Sequence, residues 1–395
     1  ANTTGTPNTA VGQSSLTANT TGNSNTAMNK NSLAANTTGS HNVAIGHNSI
    51  LTATSANYNT AVGSQTLKVA TGSENTAIGY QAMIANTTGA ENTTVGAYSL
   101  DANTTGDYNT GLGKSALGSN TTADNNTAVG YLSLFANTTG TYNAALGSNA
   151  LAANTTADNN TALGFYTLKV NTTGAGNTAV GSDALQKNTT ASNNTAVGKH
   201  ALLENTTGAG NTAVGKGALD ANTTGSNNAA VGKDCLGANT TGEENTALAP
   251  NNALGSNTTG SGNTAIGNQA LMANTTADNN TAVGRYALTA NTTGTGNASV
   301  GTESMTANTT GGSNTGIGGW SLAANTTGSN NTAVGHQALT ANTTASYGTA
   351  VGKSALGSNT TGAYNGAFGY ITLDHNTTGQ FNNAFGYNGL GANTT

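Results

Sequence analysis

A general acid–base centre or a metal site in this 395-residue chain would have to be drawn from five histidines, 15 acids and one cysteine. The histidines (His41, His47, His200, His336, His375) fall at unrelated places in the repeat described below. The acids do not pair at a recurring spacing, and Asp124, Asp158 and Asp278 simply share one turn position. There is no G-G-x-G-x-D calcium repeat, and no glycine-rich loop leads into a helix that could cradle a phosphate. Cys235 is alone, so it cannot form an intrachain disulfide. The expectation is a protein that is not an enzyme, with no cofactor and no metal. Ten basic residues against 15 acidic ones, a net charge of −5, leave no basic surface for nucleic acid. No apolar stretch reaches the 18 or so residues of a membrane span, and no segment resembles a signal peptide. What does recur is the triplet Asn-Thr-Thr, which at one fixed place in the repeat gives 22 glycosylation sequons in register, among them Asn86, Asn103, Asn205, Asn222 and Asn239.

That recurrence belongs to a longer period. Asn, Thr and Gly number 61, 76 and 55, nearly half the chain, while charged residues make up 6%, so an ordinary globular enzyme is a poor description. Asparagine returns at Asn8, Asn25, Asn42 and Asn59, every 17 residues, with one step of 16 (to Asn75) and one of 18 (Asn245 to Asn263). The phase holds to Asn382: 23 repeats after a leading half-turn, residues 1–7, in a single continuous array over 1–395. The unit reads N-T-A-V-G-x-x-A-L-x-A-N-T-T-G-x-x, numbered here as positions 1 to 17. Both ends of the chain are ordinary repeat sequence, which is the expectation for a piece of a longer parent.

Position 4 is apolar in all 23 repeats and position 9 is Leu in 20, with Gly at position 5 in 21. A helix with this much Gly, Asn and Thr would be very poor. Two short strands, at positions 1–4 and 8–11, fit better, and each repeat becomes one coil of an all-β parallel β-solenoid, a β-roll of 17-residue coils. Coils stacked at about 4.8 Å would make a rod roughly 110 Å long. The predicted core ladder is positions 4 and 9: Val62 and Leu67, Val180 and Leu185, Val214 and Leu219. Position 3 alternates with position 4 along the strand, so it should face outward. It is restricted to Ala, Gly, Ser or Thr, which suggests close cover by other copies of the chain, a homo-oligomeric rod with Ala61, Ala179 and Ala213 as interchain packing residues.

The asparagines of position 12 have two readings. A ladder of stacked amides would satisfy the turn backbone between coils. A row of N-glycans would crowd, because a sugar is wider than the coil spacing, so the ladder is preferred and glycosylation is the alternative. The Thr-Thr rows suggest the hydroxyl ranks of ice-binding solenoids. Adjacent residues point to opposite sides of a strand, however, so turn hydroxyls bonding nearby backbone is the preferred reading. Position 6 holds seven of the ten basic residues, and Lys199, Lys216 and Lys233 would stand in one column, reading as a solvated edge or a contact for anionic glycans. Aromatics at positions 6, 7 and 17 (Tyr80, Tyr131, Tyr142, Phe165, Tyr370, Phe381) are candidates for stacking on surface glycans, with scattered exposed aromatics on a long rod as the preferred reading.

The segment Asn42-Val43-Ala44-Ile45-Gly46-His47-Asn48-Ser49 resembles the N-S-V-A-I-G-x-x-S repeat of trimeric autotransporter adhesin heads. The fuller unit is similar to repeat arrays of tail-fibre-like proteins of phages and environmental bacteria. The adhesin heads are left-handed parallel β-rolls, three chains about an axis. The resemblance covers the whole array and implies that Val43 and Ile45 face the roll interior, with Ala44 at the small position and Gly46 at the turn. It implies a homo-oligomer, a trimer first and a higher cyclic number as the alternative. This repeat is longer and adds a constant N-T-T. The expected function is the structural shaft of an extracellular fibre or adhesin, on a cell-surface appendage or virion fibre. An ice-binding β-solenoid or a glycan-binding phage tail-fibre segment is the alternative.

Overall fold

The computed structural model describes residues 2–395. It is an all-β parallel β-solenoid with 23 strands, one in each repeat, and no helix among the described residues. The chain forms two compact units, Ala1–Asn194 and Thr195–Thr395. The first holds strands β1 (Thr9–Val11) to β11 (Thr178–Val180), each three residues long. The second runs from β12 (Thr195–Val197) to β23 (Asn383–Phe385). Its strands are equally short except β14 (Ala229–Lys233) and β15 (Thr246–Asn251). β-branched Thr and Val at positions 2 and 4 favour the extended backbone. Within each unit like residues pair with like, as in Thr195↔Thr212, Ala196↔Ala213 and Val197↔Val214.

The expected second strand at positions 8–11 does not form. Positions 7 and 9 take left-handed backbone angles, for example Gln65 (φ 60°) with Leu67 (φ 48°) and Asp183 (φ 58°) with Leu185 (φ 51°). Alternation of hand curls the chain into a corner instead of extending it. The corner is still stitched between coils: Leu33 N–H donates to Ser49 O (3.0 Å) and Ala35 N–H to Leu51 O (3.2 Å), while Asn48 N–H reaches back to Lys30 O (3.1 Å). Each coil is thus one strand and a hydrogen-bonded series of corners, not two strands.

The strand also faces the other way from the expectation. Ala61, Ala179 and Ala213 are fully buried inside the coil, and Val62, Val180 and Val214 lie half-exposed on its outside. The same reversal holds for the residues assigned by resemblance: Ala44 is interior, while Val43 and Ile45 are turned outward. The reason is the narrowness of the coil. A Cβ placed on Gly111, at position 3, would meet the position-8 carbonyl Ala116 O at 3.4 Å and the position-9 side chain of Leu100 at 3.5 Å. One large side chain per coil fills that space, and it is the position-9 leucine: Leu67, Leu185 and Leu219 are fully buried, as expected. A small residue opposite it is therefore a requirement of the chain's own interior, and Ala61, Ala179 and Ala213 cannot be interchain packing residues. Polar residues at position 3 are satisfied internally, Thr94 by Ser99 and Ser299 by the Ser304 carbonyl (2.9 Å).

Glycine at position 5 follows from two constraints acting together. Gly147 has φ 136°, and a Cβ there would lie 2.3 Å from the carbonyl oxygen of Gly164 in the next coil. Where Ala249 replaces this glycine the coil gains a residue, Pro250, and the pairing shifts so that Lys233 lies opposite Asn251. A second constraint escaped the sequence reading. Positions 7 and 17, which read as freely variable, adopt positive φ in coil after coil: Tyr58, Asn125, Gly176 and Asn279 at position 17, Asn149 and Gly217 at position 7. Neither position carries a Val or Thr, position 17 is rich in Asn and Gly and position 7 in Asn, because β-branched residues tolerate that conformation poorly; Ile371, at position 7 with φ 48°, is the exception.

Candidate functional site: two buried asparagine rows and an outward sheet face

The coil is closed by two asparagines. In the coil that starts at Asn109, the position-1 side chain donates from Nδ2 to Ala123 O (2.8 Å), and the position-12 side chain, Asn120, donates to the same carbonyl (3.0 Å). Each row also runs between coils. Asn109 N–H donates to Asn92 Oδ1 (2.9 Å), and Asn120 Nδ2 donates to Asn103 Oδ1 (2.9 Å). The two rows run beside the buried leucines and alanines, and most of their polar groups find partners within the rows and on the turn carbonyls.

The sequon asparagines lie in these rows. Asn86, Asn103, Asn205, Asn222 and Asn239 are all fully buried. Asn103, Asn222 and Asn239 each donate Nδ2 to the asparagine of the preceding coil (2.8, 2.8 and 2.9 Å) and to their own position-15 carbonyl (3.0, 2.9 and 2.9 Å). Asn86 and Asn205 donate to Gly89 O (2.8 Å) and Gly208 O (2.9 Å). The nitrogen a glycan would need is enclosed, so the geometry is that of the amide ladder.

The ladder has a testable energetic consequence. Asn222→Leu keeps the volume but strips Asn205 Oδ1 of its donor and leaves Asn239 Nδ2 with one proton unmatched. Leaving a buried polar group unpaired costs roughly 1–3 kcal/mol. The expected result is a fall in stability of about 3 kcal/mol in equilibrium denaturation. An unchanged midpoint would mean that the row contributes only packing.

The following threonines behave as turn residues. Thr104 Oγ donates to Thr121 O (2.9 Å) and Thr223 Oγ to Thr240 O (3.0 Å), so the position-13 hydroxyls are tied into the inter-coil backbone. The surface that stands free is the outer face of the strands. Position 4 supplies a column of apolar side chains, with Val95 41%, Leu146 46% and Leu163 41% exposed in the first unit, and position 2, mostly Thr, lies beside it. This face has no acid or base at either position.

Of the remaining candidates, some form columns from coil to coil. Lys199, Lys216 and Lys233 are exposed, and Lys233 Nζ lies 3.5 Å from Asp234. In the second unit Tyr347, Tyr364 and Phe381 stack with centroids 5.0 Å apart and nearly parallel rings, and Phe368 stacks on Phe385 at 5.0 Å. In the first unit Tyr80 meets Tyr98 edge to face. Cys235 is buried, and burial pushes its thiol above the ordinary range. A hydrogen bond from Tyr108 to Glu91 raises the phenol. Burial raises Asp101 and Asp220. Among the described residues no group of three His, Cys, Asp or Glu side chains could hold a metal, and no helix is long and apolar enough to cross a membrane. No family model matches the chain, and no curated protein matches it.

Proposed function

We propose that the chain is the structural shaft of an extracellular fibre or adhesin, built as a homo-oligomer in which copies pack through the outer face of the position 2–4 strands. The observation that supports this reading is the apolar column at position 4. An uncharged Thr/Val face repeated coil after coil is an exposed surface that a soluble monomer would not ordinarily keep. A second copy offers the one surface with the same axial spacing, so contacts made at one coil recur at all the others. A trimer is the first expectation, as in the adhesin heads that the repeat resembles. Position 3, the earlier candidate for this contact, has no part in it. Surface glycans are the partner class suited to the exposed aromatic columns, and neither catalysis, nucleic-acid binding nor membrane insertion is part of the proposal.

Sedimentation equilibrium of the 38.5 kDa chain tests the assembly. The expected result is a single species of about three times the chain mass, and a monodisperse monomer would overturn the proposal. One observation favours a second reading on the same face. Strand residues 2 and 4 form regular rows of hydroxyl and methyl groups, the pattern an ice-binding solenoid presents. A monomer showing thermal hysteresis would establish that reading, and an oligomer without hysteresis would remove it.

A further inference from the structure

The position-12 row is interrupted in two successive coils, where Ala53 and Ala70 stand in place of asparagine; both are buried. The break leaves a matched set of unsatisfied groups. Asn36 Oδ1, on a side chain only 1% exposed, has no partner, because the donor that would reach it belongs to the residue at 53. On the far side Asn86 Nδ2 donates to Gly89 O (2.8 Å), and the proton that elsewhere reaches the preceding asparagine meets alanine instead. The position-15 carbonyls of the two coils each keep one of their usual two donors: Ala56 O accepts from Asn42 Nδ2 (2.8 Å) and Gly72 O from Asn59 Nδ2 (3.0 Å). The adjoining backbone parts as well. Thr37 and Thr38 N–H both donate to Thr54 O (2.8 and 3.0 Å) and Thr71 N–H donates to Thr87 O (2.6 Å), but no backbone bond joins Thr54 or Ser55 N–H to Thr71.

We propose that this gap is a binding site for two water molecules, which continue the amide row in place of the two missing side chains. A position-12 Nδ2 makes two bonds, one to the preceding Oδ1 and one to its own position-15 carbonyl, and a water has two protons to do the same. The first water donates to Asn36 Oδ1 and Ala56 O. The second donates to the first water and to Gly72 O, and accepts the free proton of Asn86 Nδ2. Each has three partners, within the two to four that a buried water requires. The direction of donation matches that of the complete row, so the two waters join its halves without reversing it. Thr54 and Ser55 are exposed, so the site exchanges with bulk solvent at this corner.

A crystal structure of the full chain at a resolution that shows ordered water is the direct test. Two density peaks at hydrogen-bonding distance, one from Asn36 Oδ1 and Ala56 O and one from Asn86 Nδ2 and Gly72 O, are expected. Clear density without them would overturn the proposal. Two variants test it in solution. Ala53→Asn supplies the missing amide and should raise the melting temperature by about 2–4 °C. Ala53→Leu fills the same volume but expels the first water without providing a donor, and should lower it. A dry void would give the opposite order, because filling it with leucine would then be favourable, and a leucine variant that melts at or above the asparagine variant would overturn the proposal.

Discussion

Leu219→Asp is expected to unfold its surroundings, whereas Val214→Asp, five residues earlier, should leave the coil folded and alter only the association of copies. Leu219 is fully buried between coils that offer its carboxylate no cation, and an unpaired buried charge costs several kcal/mol. Val214 is half-exposed on the outer strand face, where a carboxylate reaches water in the isolated chain. In an assembly packed through that face the same carboxylate would be buried against a neighbour. Melting by circular dichroism should fall sharply for the first variant and little for the second, while sedimentation should show a lower mass for the second. Equal loss of structure in both would restore the arrangement in which positions 4 and 9 share one interior.

Gly147→Ala should destabilise far more than Gly140→Ala, although a methyl group at either site would press on a carbonyl of the next coil, at 2.3 and 2.4 Å respectively. Gly140 sits at position 15, where Ala123 and Ala157 occupy the same place in neighbouring coils, and its backbone angle is open to any residue. Gly147 has φ 136°, a conformation that an L side chain rarely adopts. Strain of that kind costs on the order of 1–3 kcal/mol before the contact is counted. A drop of at least 2 kcal/mol at position 147 and less than 1 kcal/mol at position 140 is expected from denaturant titration. Similar losses at both would show that the close carbonyl, not the backbone angle, is what excludes a side chain. The chain itself records the difference: alanine recurs at position 15, but where it enters position 5, at Ala249, an inserted proline follows.

The 17-residue phase, the parallel stacking of like residues, the buried position-9 leucine and the preference for an amide ladder over a glycan row were all legible in the sequence. Each depends on a property repeated in every coil, and repetition makes a weak local signal visible. The facing of the strand was not legible. Alternation says that positions 3 and 4 lie on opposite sides, but the same pattern fits either choice. A large apolar residue beside a small one normally implies that the large one is inside. Here the interior has room for one large side chain per coil, and Leu67, Leu185 or Leu219 already fills it, so the alanine must turn inward and the valine outward. The second strand failed for a related reason. Apolar residues at fixed spacing indicate burial without indicating backbone hand, and only the closure of the coil required the left-handed residues at positions 7 and 9. The sequence by itself determined the period, the ladder and the uniformity of the chain. Inside and outside, and with them the surface available to a partner, were decided by the tertiary structure, because they depend on how much volume the closed coil leaves within it.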